Sequence, residues 1–337
     1  MIKNRLVLID AFALIHRAFH ALPSLSSKDG QQVNAVYGFT SALLSAIKEL
    51  EPEYLAVGFD LPGLTKRHKE FKDYKAHRPA TPDELKSQIP YIKEILQAMN
   101  IPIVAAEGYE GEDVIATIIA SCKQQTADSL KFKKPLAVSR EPLAILESII
   151  VTGDMDALQL VDENTKVYSI SRGINQAEMY DEKKVRERYG LEPKQLIDYK
   201  ALRGDPSDNI PGVKGIGEKT AAHLVREYGT LEKLYRKMQN ANLKSQSDNE
   251  KFKIKSQKTR ISEKLQKILL ENKERAFLSQ KLAKIATNVP LGFDLESARL
   301  HDFDQAKIIG LFEKFGFKSL ISRLPKADSS QNQPTLL

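Results

Sequence analysis

The chain has 337 residues and a formal net charge of +7, from 51 Lys and Arg against 44 Asp and Glu. Its 42% hydrophobic and 28% charged content is enough for a buried core and about two domains, which excludes a wholly disordered, collagen-like or coiled-coil chain. A single cysteine, Cys122, excludes an internal disulfide framework and a cysteine-based zinc cluster.

The first apolar run, 6–9, stops at Asp10 and is too short for the core of a secretory signal. No apolar stretch approaches about 18 residues, so no membrane span is expected and the expected setting is the cytoplasm. Residues 35–49 carry Val36, Phe39, Leu43, Leu44 and Ile47 at helical spacing and predict a crossover helix. Further apolar runs at 53–59, 101–105 and 148–152 predict buried parallel strands of an α/β sheet. Three of the four runs lead into an acid, at Asp10, Asp60 and Asp154. In open α/β sheets the ligand crevice lies beyond the carboxyl ends of the strands, so these three are expected at one edge.

Between the second and third runs, 66–78 reads KRHKEFKDYKAHR, six cations against two acids with Phe71 and Tyr74 interleaved. That mixture suits a single nucleic-acid strand, whose phosphates need neutralising and whose bases stack; a solvated basic helix face is the plainer reading. His16 and Arg17 follow Asp10 and read as a phosphate contact or a surface patch. Glu110, Glu112 and Asp113 precede an apolar helix, where acids also favour the helix dipole.

Beyond residue 180 the pattern turns helical, with candidates at 181–189, 193–202, 218–228 and 262–282. Asp205-Pro206-Ser207-Asp208 is a turn signal taken alone. Glycines 212, 215 and 217 alternate with Val213 and Ile216, a helix-hairpin-helix pattern whose backbone amides, with Lys214 and Lys219, suit duplex phosphates. A mononucleotide phosphate loop is disfavoured because its G-x-x-x-x-G-K-[ST] spacing is missing. Residues 244–260 are polar and basic, and the tail from 325 reads as a disordered end or linker.

Nine carboxylates thus fall into five small groups: Asp10; Asp60; Glu110, Glu112 and Asp113; Asp154 and Asp156; Asp205 and Asp208. Taken singly, Asp10 or Asp60 reads as a turn or cap residue. Gathered in one crevice, so many acids would protonate unless divalent cations balanced them. An Asp-nucleophile phosphatase is disfavoured because Phe12 occupies the place of its second Asp.

The stretches LIDAFALIHRAFHAL (8–22), YKAHRPATP (74–82), GYEGEDVIA (108–116), VTGDMDALQL (151–160) and the segment 202–220 together resemble the 5′-nuclease family of flap endonucleases and 5′-3′ exonucleases. The branch most resembled is the N-terminal nuclease domain of bacterial DNA polymerase I. The resemblance covers about residues 5–325. It implies a parallel-sheet, PIN-like α/β core at 1–180 with a helical arch at about 62–90. A helical DNA-binding domain at 181–324 would follow, with its hairpin at 209–221, then the tail at 325–337.

It further implies two Mg²⁺ or Mn²⁺ ions on Asp10, Asp60, Glu110, Glu112, Asp113, Asp154, Asp156, Asp205 and Asp208. Lys75 and Arg78 would act on the scissile phosphate. Arg17, Tyr74, Gly212, Lys214, Gly215, Gly217, Lys219 and Thr220 would contact DNA, and a potassium ion would sit at the hairpin. Implied partners are DNA with 5′ flaps, nicks or ends, RNA primers and a polymerase module. Glu112 stands where the family usually has Asp, and 124–147 is longer than the usual connection. A non-catalytic DNA-structure binder is the alternative from another class.

Overall fold

The computed structural model describes residues 4–131, 146–170, 177–247, 261–301 and 303–325. The first part runs β1 (Arg5–Asp10), α1 (Ala11–Ala21), α2 (Asn34–Leu50), β2 (Tyr54–Gly58), α3 (Lys66–Glu70), α4 (Asp83–Lys86), α5 (Ile89–Ala98), β3 (Ile103–Val104), α6 (Gly111–Lys131), β4 (Glu147–Thr152), β5 (Thr165–Ser169) and β6 (Glu178–Tyr180). The second is helical: α7 (Glu182–Tyr189), α8 (Leu196–Arg203), α9 (Glu218–Tyr228), α10 (Leu231–Ser247), α11 (Glu263–Glu271), α12 (Lys273–Ala283), α13 (Gln305–Phe315) and α14 (Lys318–Ile321).

The strands form one sheet in the order β3-β2-β1-β4-β5-β6, parallel except for the antiparallel edge strand β6. All four expected strands are present, although the run at 101–105 yields only the two-residue β3. Strands β5 and β6 were not expected. TKVYS is largely polar and EMY is three residues long, so neither shows the apolar run that marks a buried strand.

Side-chain alternation splits the core in two. Val7, Ile9, Leu55 and Val57 face α1, α2 and α5, whereas Leu6, Leu8 and Ala56 face α6 and the helical region. The predicted helix at 262–282 is two helices, broken at Asn272. The C-terminal α13 and α14 return to the first part: Ile308, Phe312, Phe315 and Leu320 are buried in the core of α1, α2 and α5. The start of the long connection continues α6 to Lys131, while 132–145, 248–260 and 326–337 lie outside the described residues.

Strand order reverses between β1 and β4, and Ile9 pairs with Val151. The carboxyl ends of these two strands are therefore the switch point where α/β sheets bind ligands. Asp10 ends β1, and Asp154 follows β4 by two residues.

Candidate active site

Asp10 caps α1, accepting from the Ala13 N–H at 3.2 Å. Its other oxygen accepts from the Thr152 hydroxyl at 2.8 Å, and the same hydroxyl accepts from the Asp154 N–H at 3.0 Å. One threonine thus stitches the ends of β1 and β4 together. Burial, then the negative charges of Asp60 and Asp154, push the Asp10 carboxyl up to about 7. Asp60 accepts from the Gly111 N–H and is also raised, chiefly by burial and then by Glu110.

Asp154 caps the short 3₁₀ turn Met155–Leu160, accepting from the Asp156 N–H at 2.9 Å. Burial and Asp154 raise Asp156 to about 7 despite an ion pair with Lys200. The Lys200 ammonium also holds Asp205 at 2.6 Å. Against the cost of burial, that ammonium and the Ser207 donors keep Asp205 below the usual carboxylate range.

The basic segment lies over these acids. Tyr74, expected to face nucleic acid, is 1% exposed, and its phenol donates to Asp208 at 3.0 Å and Glu110 at 3.3 Å. As the side chains lie, the ring is covered and offers no face to a base; burying the phenol required polar partners, and the two acids supply them. Lys75 Nζ bonds Glu110 at 2.7 Å and lies 3.7 Å from Asp208, while Arg78 reaches Asp208 at 2.5 Å. Burial opposes charge on Glu110, but Lys75 and Arg67 outweigh it and lower its pKa.

Arg67, on α3, is the buried hub of the opposite side. It forks onto both oxygens of Asp113 at 2.9 and 2.8 Å and pairs with Glu112 at 3.1 Å and Glu110 at 3.4 Å. It also donates to the Leu282 and Lys284 carbonyls. Asp113 further accepts from the Ala286 and Glu110 amides, so its oxygens are spent anchoring the helical region to the sheet. Glu112 differs: burial, with Glu110 and Asp154 adding, raises it well above the glutamate range despite Arg67.

Eight of the nine carboxylates are linked by these bonds and mutual repulsions into one network, and Asp208 joins it at Glu110 through Lys75 and Tyr74. Among the described residues, no three carboxylate or imidazole groups stand close enough to hold one ion as the side chains now lie. Arg67, Lys75 and Lys200 instead neutralise much of the charge. The donor set still fits a hard divalent cation. Asp10, Glu112 and Asp154 line one cavity of about 10 Å³, the size of a single water, with apolar walls from Ile115, Ile150 and Leu160. An adjoining cleft of about 480 Å³ exposes Asp154, Asp156 and Asp205 beside Arg17, Arg78 and Lys200.

The hairpin presents Lys214, Gly215, Gly217 and Lys219 to solvent over buried Val213 and Ile216, with Thr220 half-buried in α9. Gly217 caps α9, so the amides of its first turn point outward. Gly212 has another role. It is buried at φ +60, and a Cβ there would lie 2.2 Å from the Gly204 nitrogen, so it closes the hairpin base against the end of α8. Thr152, Arg67 and Lys200 escaped the sequence reading because no local pattern marks a residue whose partners lie far along the chain.

A family model described as the 5′-3′ exonuclease N-terminal resolvase-like domain matches residues 5–190, and one described as the 5′-3′ exonuclease C-terminal SAM fold matches 191–306. The chain is 39% identical over 322 residues to DNA polymerase I of Caldicellulosiruptor bescii, covering 95% of this chain and 33% of that protein. It is 37% identical over 332 residues to DNA polymerase I of Bacillus caldotenax, covering 98% and 34%. The chain thus spans about a third of the length of these relatives. In fold it is similar to T5 5′-exonuclease with bound divalent metal ions (zinc), at TM-score 0.59 and 20% identity, covering 84% of this chain and 90% of that one. It is also similar to the catalytic core of Rad2 in complex with DNA substrate, at TM-score 0.51 and 17% identity, covering 96% and 93%. Among the described residues no helix is long and apolar enough to cross a membrane.

Proposed function

The chain belongs to the 5′-3′ exonuclease family of nucleases, and from that premise we propose a structure-specific 5′-nuclease that hydrolyses phosphodiester bonds at flaps, nicks and 5′ ends of DNA. The carrying observation is the electrostatic strain at the strand ends. Asp10, Glu112 and Asp156 are half-buried close to other acids, and their desolvation and mutual repulsion hold them above the usual carboxylate range, an arrangement that two divalent cations would relieve. Asp10, Asp60, Glu110, Glu112, Asp154, Asp156, Asp205 and Asp208 are the residues to hold Mg²⁺ or Mn²⁺, with Asp113 supporting them through Arg67.

Such ions, when bound, supply Lewis acidity that activates a water and stabilises the leaving 3′ oxygen. Arg78 on the cleft wall and Lys75, paired with Glu110, bind the scissile phosphate and offset its charge. Arg17 on the cleft wall orients a neighbouring phosphate. The exposed amides and lysines of the hairpin from Lys214 to Thr220 hold the duplex without reading its bases, with a potassium ion on the turn. Products would carry a 5′-phosphate and a 3′-hydroxyl. The setting is primer removal and flap processing at the nucleoid, on DNA and RNA primers, alongside a polymerase module.

The test is a 5′-labelled flap duplex incubated with Mg²⁺ or with chelator. Cuts near the junction are expected with Mg²⁺ alone. Asp154→Ala and Asp156→Ala should abolish them while metal-free duplex binding survives. Near-normal turnover by both variants would sink the site assignment. A metal-free DNA binder is the rival reading, and the internal cations Arg67, Lys75 and Lys200 favour it; binding without cleavage under any cation would decide for it.

A further inference from the structure

The cleft does not end at the carboxylates. A second groove of about 500 Å³ shares Tyr189, Tyr199 and Arg203 with it and runs to Arg188 on α7 and Lys219 on α9. The two grooves are one trough leading from Asp154 to the first turn of α9. Its walls hold Arg188, Arg203 and Lys219 against a single acid, Glu218, in the second groove.

The aromatic rings in the trough orient arginines rather than offering faces to bases. Tyr199 is buried, and Tyr189 lies at 64° to it with centroids 6.1 Å apart. The Arg203 guanidinium sits 5.9 Å from the Tyr199 centroid, and that of Arg188 sits 5.5 Å from Tyr189 and 5.8 Å from Tyr180. Arg188 also donates to the Tyr180 hydroxyl at 2.8 Å. Guanidinium groups held in this way are pre-organised for phosphate oxygens. Glu218 holds Arg203 at 2.7 Å but is itself mostly exposed, so a phosphate can displace it.

We propose that this trough is a phosphodiester-backbone track, in which Arg188 and Arg203 hold consecutive phosphates of the duplex strand running from the cleft to the hairpin. The inference rests on the nuclease reading and adds a binding segment to it. Recognition would be independent of sequence, because only backbone oxygens are engaged.

The experiment measures binding of a fluorescent 5′-flap duplex to the metal-free full chain across a salt series, with steady-state cleavage alongside. Arg188→Gln and Arg203→Gln should each lower the slope of log affinity against log salt by about 1 and raise KM more than they lower kcat. Glu218→Gln should shift affinity the other way, because it frees Arg203. Lys183→Gln, on the same helix but outside the trough, should leave the slope unchanged. The proposal is overturned if both arginine variants keep the wild-type slope, if Lys183→Gln lowers it equally, or if Glu218→Gln weakens binding as Arg203→Gln does. A wild-type chain that neither binds nor cuts the flap would refute the nuclease reading itself; binding and cutting with unmoved variants would refute only the track.

Discussion

Replacing Arg67 with Met tests whether one buried guanidinium joins the sheet to the helical region. The substitution removes two short bonds to Asp113, pairs to Glu110 and Glu112, and donors to the Leu282 and Lys284 carbonyls. Asp113, 2% exposed, keeps only the Ala286 and Glu110 amides for its charge. Breaking a buried pair from one side costs about 3–5 kcal/mol, because the remaining charge is stranded. With an unfolding entropy of about 2.1 cal/mol/K per residue, a chain of this length should melt about 4–7 °C lower. Differential scanning fluorimetry reads the shift. Adding Asp113→Asn removes the stranded charge, so the double variant should be less destabilised than the sum of the singles by about 0.5–3 kcal/mol. A single variant within about 1 °C of wild type, or strictly additive effects, would refute the hub.

Adding Mn²⁺ or Mg²⁺ at about 100 times its dissociation constant should stabilise the chain by about 2.7 kcal/mol, and Asp10→Asn with Asp154→Asn should erase that melting shift; a shift that survives both would place the ions elsewhere. Gly212→Ala meets backbone atoms of Arg203 and Gly204 at 2.2–2.6 Å and must hold φ near +60, whereas Gly215→Ala at φ +91 has only Ile268 at 3.8 Å nearby. The first should therefore cost about 2–4 kcal/mol and the second about 1–2, and equal melting points would contradict the close approach. Glu147 is opposed by burial but held below its ordinary 4.5 by Lys166 and Arg5. Its contribution is present above the unfolded pKa and lost as pH falls through the folded one, so between about pH 5 and pH 3 wild type should lose more stability than Glu147→Gln; parallel curves would deny the pairing.

The acids of the candidate site were legible because each sits at a local boundary that hydrophobic patterning marks. Asp10 and Asp154 follow apolar strands, and Glu110 and Glu112 precede an apolar helix. The hairpin was legible for the same reason, since its glycines alternate with Val213 and Ile216 within a single turn. The chain order of strands and helices likewise sufficed for an α/β sheet followed by a helical region.

Only the tertiary structure decided which cations those acids meet. Arg67 finds Asp113 across 46 positions and Lys200 finds Asp156 across 44, and the basic run that holds Arg67 and Tyr74 reads equally well as a solvated face. Tyr74 turned inward because Glu110 and Asp208, 36 and 134 positions away, accept its buried hydroxyl. The return of α13 to the first core and the trough past Tyr189 and Tyr199 are of the same kind. Secondary structure follows from interactions within a few residues, so a sequence displays it. Ion pairs, buried phenols and grooves depend on distances between residues remote along the chain, and those distances exist only once the sheet and helices have packed.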